Sequence, residues 1–318
     1  MSFAFLTVCF LLQGFTPEVI EHAQAGAAAQ QQGHFDIAIR EFRKVTELQP
    51  TSASGHANLG DALFQNSEYE AAIPELQEAL RLNPKLMGTH QMLGVALLVE
   101  GNAAAAIPHL EQTRTPELLG LAYLETGRLG GAIMALQAAL GRQPGDTDLL
   151  YYYARATALA ADKTWRQLTA INPQWAQDKA AEQRPVRDVA ALETELAKSP
   201  DDPTLLYDFH RAAVLDSKKA INEILRSQPD SARAHQVIAE RLVENNRLAE
   251  AQQEYAAALQ LKPYTPGVHL ALGNVYASEG NWPAAIKQFQ MEVQLRPLNA
   301  EARDALAKAD RITNQRKQ

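Results

Sequence analysis

Apolar positions along this chain come in pairs of stripes at helical spacing. His56, Leu59, Gly60 and Leu63 fall on one helix face, and Tyr69, Ala72, Leu76 and Ala79 fall on the next. Between them stands Gln65-Asn66-Ser67, and the equivalent breaks elsewhere are Glu100-Gly101, Thr126-Gly127 and Glu279-Gly280. Each unit therefore reads as a helix, a tight turn and a second helix. Runs of β-branched and aromatic residues, the mark of strands, are scarce, and the sequence predicts helix throughout.

The units repeat with a fixed period. Gly26, Gly60 and Gly94 are 34 residues apart, as are Ala38, Ala72 and Ala106, then Phe42, Leu76 and Leu110, and Pro50 with Pro84. The C-terminal part follows with Ala251 and Ala285, Tyr255 and Phe289, Pro263 and Pro297. Gly60 and Ala72 stand where two helices must approach closely, so a larger side chain would push them apart. Proline near each window's end stops the second helix, because it has no amide hydrogen and clashes with the preceding turn. Pro74 and Pro108 lie inside second helices, where an isolated helix would lose ~3 kcal/mol, so bends are predicted there.

This period and slot pattern, shown by "HLALGNVYASEGNWPAAIKQFQMEVQLRP" from His269 to Pro297, resembles the tetratricopeptide repeat. The resemblance implies an all-α fold, an α-α superhelix or solenoid of stacked helix-turn-helix repeats. Repeats are predicted at 19–52, 53–86, 113–146, 232–265 and 266–299, with a shortened one at 87–112, where Gly94 to Gly120 is only 26 residues. The eight missing residues are expected to come from the second helix and to change the local pitch. This divides the chain into an N-terminal array (19–146), a degenerate section (147–231), a C-terminal pair (232–299), and a polar capping helix with tail (300–318). In the degenerate section "LLYYYARATAL" from Leu149 echoes "LLYDFHRAAVL" from Leu205, and each half is read as a shortened repeat with a clipped second helix. The intervening segment is read as one or two helices, broken at Pro185 and ended by Pro200. One continuous solenoid is expected.

Five of the eight histidines, His22, His56, His90, His235 and His269, occupy one slot of the period. Equivalent helices are ~8–10 Å apart, whereas two nitrogens on one zinc lie within ~4.2 Å of each other. The column is therefore read as packing, with a proton-sensitive column as the sharper alternative. The single cysteine, Cys9, excludes a cysteine-based zinc site or disulfide framework within the chain. Net charge is −7 and the basic residues are dispersed, which argues against nucleic acid as a partner. Asp201-Asp202 reads as a helix start. No cofactor, metal or catalytic constellation is predicted.

Binding remains. The resemblance implies that a protein or peptide partner lies on the first helices, along the concave side of the stack. On this sequence that face comprises Asp61, Phe64, Gln65, Gln91, Val95, Leu98, Arg114, Glu117, Leu121, Glu125, Arg233, Gln236, Glu240, Glu244, Leu270 and Asn274. The sharpest candidates are two echoed pairs, Tyr151 with Arg155 and Tyr207 with Arg211, each four apart on a helix and of the types enriched at hot spots. Tyr153 and Phe209 are assigned to the stack. Residues 1–16 hold about a dozen mostly apolar residues, too few for a membrane span of ~20 and close to a secretory h-region. They read as a signal segment, which predicts export to the periplasm or envelope and no span in the mature chain. An interaction scaffold there is the first expectation. A substrate-recruiting adaptor of an envelope-biogenesis or glycosyltransferase complex is the alternative.

Overall fold

The computed structural model describes residues 16–171, 185–297 and 299–315. The signal segment predicted over 1–16 lies outside these residues except for Thr16. Among them are 16 helices and no strand. The chain divides between Arg114 and Thr115 into two compact units, a division that falls inside the N-terminal array expected over 19–146.

The first unit holds three hairpins: α1 (Pro17–Gln31) with α2 (Phe35–Leu48), α3 (Ala53–Gln65) with α4 (Tyr69–Leu82), and α5 (Met87–Val99) with α6 (Ala103–Thr113). Each hairpin turn needs one left-handed residue. Gly33 and Gly101 supply it, and in the middle hairpin Ser67 adopts φ 62° without glycine's freedom. Phe42, Leu76 and Leu110 on the second helices are fully buried and press on Gly26, Gly60 and Gly94. The expected close approach is thus present, one glycine per hairpin. Helices α4 and α6 run through Pro74 and Pro108, both exposed.

The shortening around 87–112 is not confined to a second helix. Helix α6 has 11 residues where α4 has 14, and α7 (Pro116–Glu125) has 10 where α5 has 13. The connection shrinks as well, to Arg114 and Thr115. Arg114 turns left-handed at φ 52° and ends α6, and Pro116 at the first helical position starts α7 late.

The second unit begins with the hairpin of α7 and α8 (Leu129–Arg142) and continues with α9 (Thr147–Ile171), α10 (Val189–Leu196) and α11 (Pro203–Ser227). The expected clipped hairpins are absent. Each echo is one uninterrupted helix of 25 residues, and α9 and α11 pack on each other along their lengths. The physical reason is that neither segment contains glycine, proline or asparagine where a hairpin would turn, so nothing interrupts the ladder. Tyr153 and Phe209 lie in this core as expected. Residues 185–188 are not helical, Asp188 caps α10, and α11 starts at Pro203 with Asp202 accepting from the Thr204 and Leu205 amides. The Asp201-Asp202 reading as a helix start thus stands. Two further hairpins, α12 (Ala232–Glu244) with α13 (Leu248–Leu261) and α14 (Val268–Ser278) with α15 (Trp282–Leu295), lead to α16 (Ala300–Gln315), which packs on α15.

In each unit first helices neighbour first helices: α3 packs on α5, and α7 on α9. The side that these first helices share is the one the family resemblance makes the inner face of each stack.

Candidate functional site

The histidine column resolves into a clamp built in five of the repeats; the α7–α8 repeat has Pro116 in this slot. His56 Nδ1 lies 2.6 Å from Glu75 Oε2, 19 residues on, and its Nε2 lies 2.9 Å from the Pro50 carbonyl, six residues back. His269 repeats both contacts with Gln288 and Pro263, and His90 repeats the second with Pro84. His22 meets Glu41 at 2.8 Å and His235 meets Glu254 at 2.6 Å. Each imidazole therefore ties a first helix to its own second helix, and three of them also hold the end of the preceding repeat. His90 departs from this rule, because its 19th-residue partner is another histidine, His109, with the two Nδ1 atoms 2.9 Å apart. Burial works against charge on His56, but Glu75 and the Pro50 carbonyl outweigh it and its pKa lies above the ordinary value. Burial, then the neighbouring His90, pushes His109 down. Sequence reasoning found the column and missed its partners, although their own 34-residue period was the available signal.

On the inner face of the second unit the side chains around Arg233 are buried against one another, while Arg155, Glu244 and Asn274 are exposed. Arg233 on α12 is 2% exposed, with its guanidinium 4.5 Å from the Tyr151 ring centroid and 4.7 Å from that of Tyr152. It donates to Asp148 Oδ1 (2.6 Å), Gln236 Oε1 and the Tyr152 hydroxyl (2.6 Å), while Lys262 reaches the other Asp148 oxygen at 2.9 Å. Tyr151, 4% exposed, donates to Glu240 Oε1 at 2.6 Å and accepts from Gln236 (2.6 Å) and Arg155 (3.3 Å). Burial, then the Glu240 carboxylate, pushes the Tyr151 phenol up. Burial opposes the charge on Asp148, and Arg233 with Lys262 overrides it, leaving its pKa low.

This corrects the reading of Tyr151 and Tyr207 as open groove hot spots. Tyr151 is spent on the network, and Tyr207 is buried in the α9–α11 core with Arg211 over its ring at 5.7 Å. Arg233 and Gln236 are likewise buried rather than offered to a partner. The reason is that α12 packs against α9, so residues on the two helices that a wider curve would hold apart pair with each other.

Such pairing reaches from the first hairpin of the unit to the last. Arg296, which caps α15, donates to Glu125 on α7 at 2.6 Å and lies 4.0 Å from Glu292. Glu292 is fully buried. Its Oε1 accepts from the amide of Gly267, the residue at the start of α14, at 3.1 Å, and among the described residues its Oε2 has no hydrogen-bond partner. Glutamate stands here in the slot occupied by Val45, Ala79, Ala139 and Ala258, a departure visible in the sequence and not singled out. Glu117 pairs loosely with Arg142 at 3.8 Å, and Glu244 and Asn274 are exposed.

The first unit presents a different inner face. Asp61 is half-buried, and its Oδ2 and Oδ1 accept from the Gln30 and Gln65 amides at 2.8 and 2.9 Å. Phe64, Val95 and Leu98 are half-buried, and Gln65 and Gln91 are exposed. Phe64 is fixed edge-on to Tyr69, with centroids 5.3 Å apart. Arg114 does not belong to this face: it is the exposed end of α6.

The profile of the tetratricopeptide repeat family matches residues 24–86 and 237–300, and a second tetratricopeptide repeat profile matches 117–146. The chain belongs to the tetratricopeptide repeat family. Among solved structures, MamA of Desulfovibrio magneticus RS-1, from its residue 41 onward, is 18% identical, with 67% of this chain and 98% of that chain covered and a TM-score of 0.43. TTC0263 of Thermus thermophilus, a thermophilic TPR protein, is 17% identical over 81% of this chain and 98% of its own, with a TM-score of 0.36. YrrB, described as a TPR protein with an unusual peptide-binding site, is 14% identical over 83% and 96%, with a TM-score of 0.32. Among curated proteins none matches the chain. The tetratricopeptide repeats in both units make the chain a protein-interaction scaffold.

Proposed function

We propose that the chain is a non-enzymatic scaffold that holds a protein or peptide segment on the inner face of its first unit. The observation that carries this reading is the contrast between the two inner faces. In the second unit Tyr151, Arg233 and Gln236 are buried in mutual contacts, whereas in the first unit Gln65 and Gln91 stay exposed beside the half-buried Phe64, Val95 and Leu98. Glutamine side chains carry both a donor and an acceptor, the pair that an extended backbone requires.

A photo-crosslinking residue placed at Gln65 or Gln91 is expected to trap a discrete partner in cells, and the same residue at Arg40 or Arg81 on the second helices is not. A partner trapped from Arg40 or Arg81 alone would reject the inner face. The export reading of residues 1–16 belongs to the same proposal. Fractionation with N-terminal sequencing should find a chain beginning near Gly14 to Thr16 in the periplasm, and a cytoplasmic chain starting at Met1 would remove it.

A further inference from the structure

Charge is segregated in the first unit. Helices α1, α3 and α5 contain no lysine or arginine and carry Glu18, Glu21 and Asp61. All six basic residues of 16–114 (Arg40, Arg43, Lys44, Arg81, Lys85 and Arg114) lie on second helices or in connections. The inner face of this unit therefore carries the carboxylate of Asp61 and no lysine or arginine of its own.

The second unit shows what its inner carboxylates normally meet. Asp148 is answered by Arg233 and Lys262, and Glu125 by Arg296. Asp61 stands on the same kind of face, and among the described residues it is answered only by two neutral amides. Those amides fix the carboxylate in place and leave each oxygen with acceptor capacity, since a carboxylate has about four lone-pair sites. On the same helix Ala57 stands one turn before Asp61, and Val95 and Leu98 on α5, which packs on α3, are half-buried apolar residues.

We infer that the first unit takes an extended segment bearing a lysine or arginine, whose side chain pairs with Asp61 while its neighbours lie on the Val95 and Leu98 surface. The inference rests on the inner-face reading above and adds the chemistry of the partner. Electrostatic complementarity of this kind steers encounter and excludes acidic competitors, because a carboxylate brought against Asp61 is left unpaired.

The test uses the purified full chain and pools of short peptides with randomised flanks around one fixed central residue, Lys, Arg, Gln or Glu. Retention on immobilised protein should favour the Lys and Arg pools over the Gln pool by about fivefold to tenfold and should reject the Glu pool. The preference should shrink as salt shortens the screening length. Asp61→Asn keeps the side-chain shape, and a turned Gln30 amide can restore the second hydrogen bond, so a matching circular dichroism melt will certify the fold. In Asp61→Asn the Lys and Arg preference is expected to vanish. A preference that survives in Asp61→Asn, or a Glu pool retained best, would overturn the inference. Equal retention of all pools, abolished by the obstructing Ala57→Trp, would overturn the charge and leave the inner face standing. Retention of no pool at all would reject both.

Discussion

At the residue scale, His56 in the histidine column and His109, the partner of His90, make opposite demands on protonation. The pKa of His56 is raised on folding, so its contribution is fully present below the ordinary histidine value and is lost as pH rises through the folded one. His109 is lowered, so the folded state favours the neutral ring, and stability is lost as pH falls below the ordinary value toward the folded one. Replacing His109 by Glu would give His90 the carboxylate that His22, His56 and His235 already have. The variant is expected to melt higher than wild type, and its advantage should grow between about pH 8 and about pH 5.5 as histidine charges. A pair worth about 1 kcal/mol would move the midpoint by roughly 2–4 °C, readable in thermal melts at the two pH values.

At the scale of the element, the hairpin depends on how closely two helices can approach. A methyl group on Gly60 would sit 2.7 Å from Leu76 Cδ2 and 2.8 Å from Cγ, and Leu76 is fully buried with nowhere to retreat. Gly60→Ala should therefore cost about 1–3 kcal/mol in urea denaturation, despite alanine's better helix propensity. Gly88, also inside a first helix, has nothing within 4 Å of the added carbon. Gly88→Ala is expected to be neutral or to stabilise by about 0.5–1 kcal/mol. The two substitutions separate packing from propensity, which oppose each other at Gly60 and leave propensity to act alone at Gly88.

At the scale of the whole molecule, two units built from one repeat use their inner faces differently. The second is drawn together by Arg296, which links the carboxylates of α7 and α15. Burial holds the Glu125 carboxyl above the usual carboxylate range, even with Arg296 beside it. A carboxyl with a raised folded pKa favours the folded state when protonated, so its cost is present at neutral pH and is relieved as pH falls through that value. Arg296→Ala should destabilise the chain by about 1–3 kcal/mol near neutrality, and the deficit should narrow on acidification toward about pH 5. Denaturant titrations of both proteins at the two pH values would read this, and a pH-independent deficit would assign Arg296 a packing role alone.

The period and the slots along it determined the all-helical fold, the hairpin turns, the close glycine contacts and the structural use of the histidines, because each is a local demand met within one repeat. The absence of basic residues from α1, α3 and α5 is equally legible in the sequence. Where the period fails, local reasoning fails with it. The residues that follow "LLYYYARATAL" and its echo permit the helix to run on, because no glycine, proline or asparagine stands where a hairpin would turn, but its continuation to 25 residues was decided by the packing of α9 against α11. The same holds for Tyr151 and Arg233, far apart in the chain and brought together by α9 and α12. A sequence specifies which faces are polar. Only tertiary structure decides whether a polar face meets solvent or another part of the same chain, because that depends on a curvature set by all the helix contacts at once.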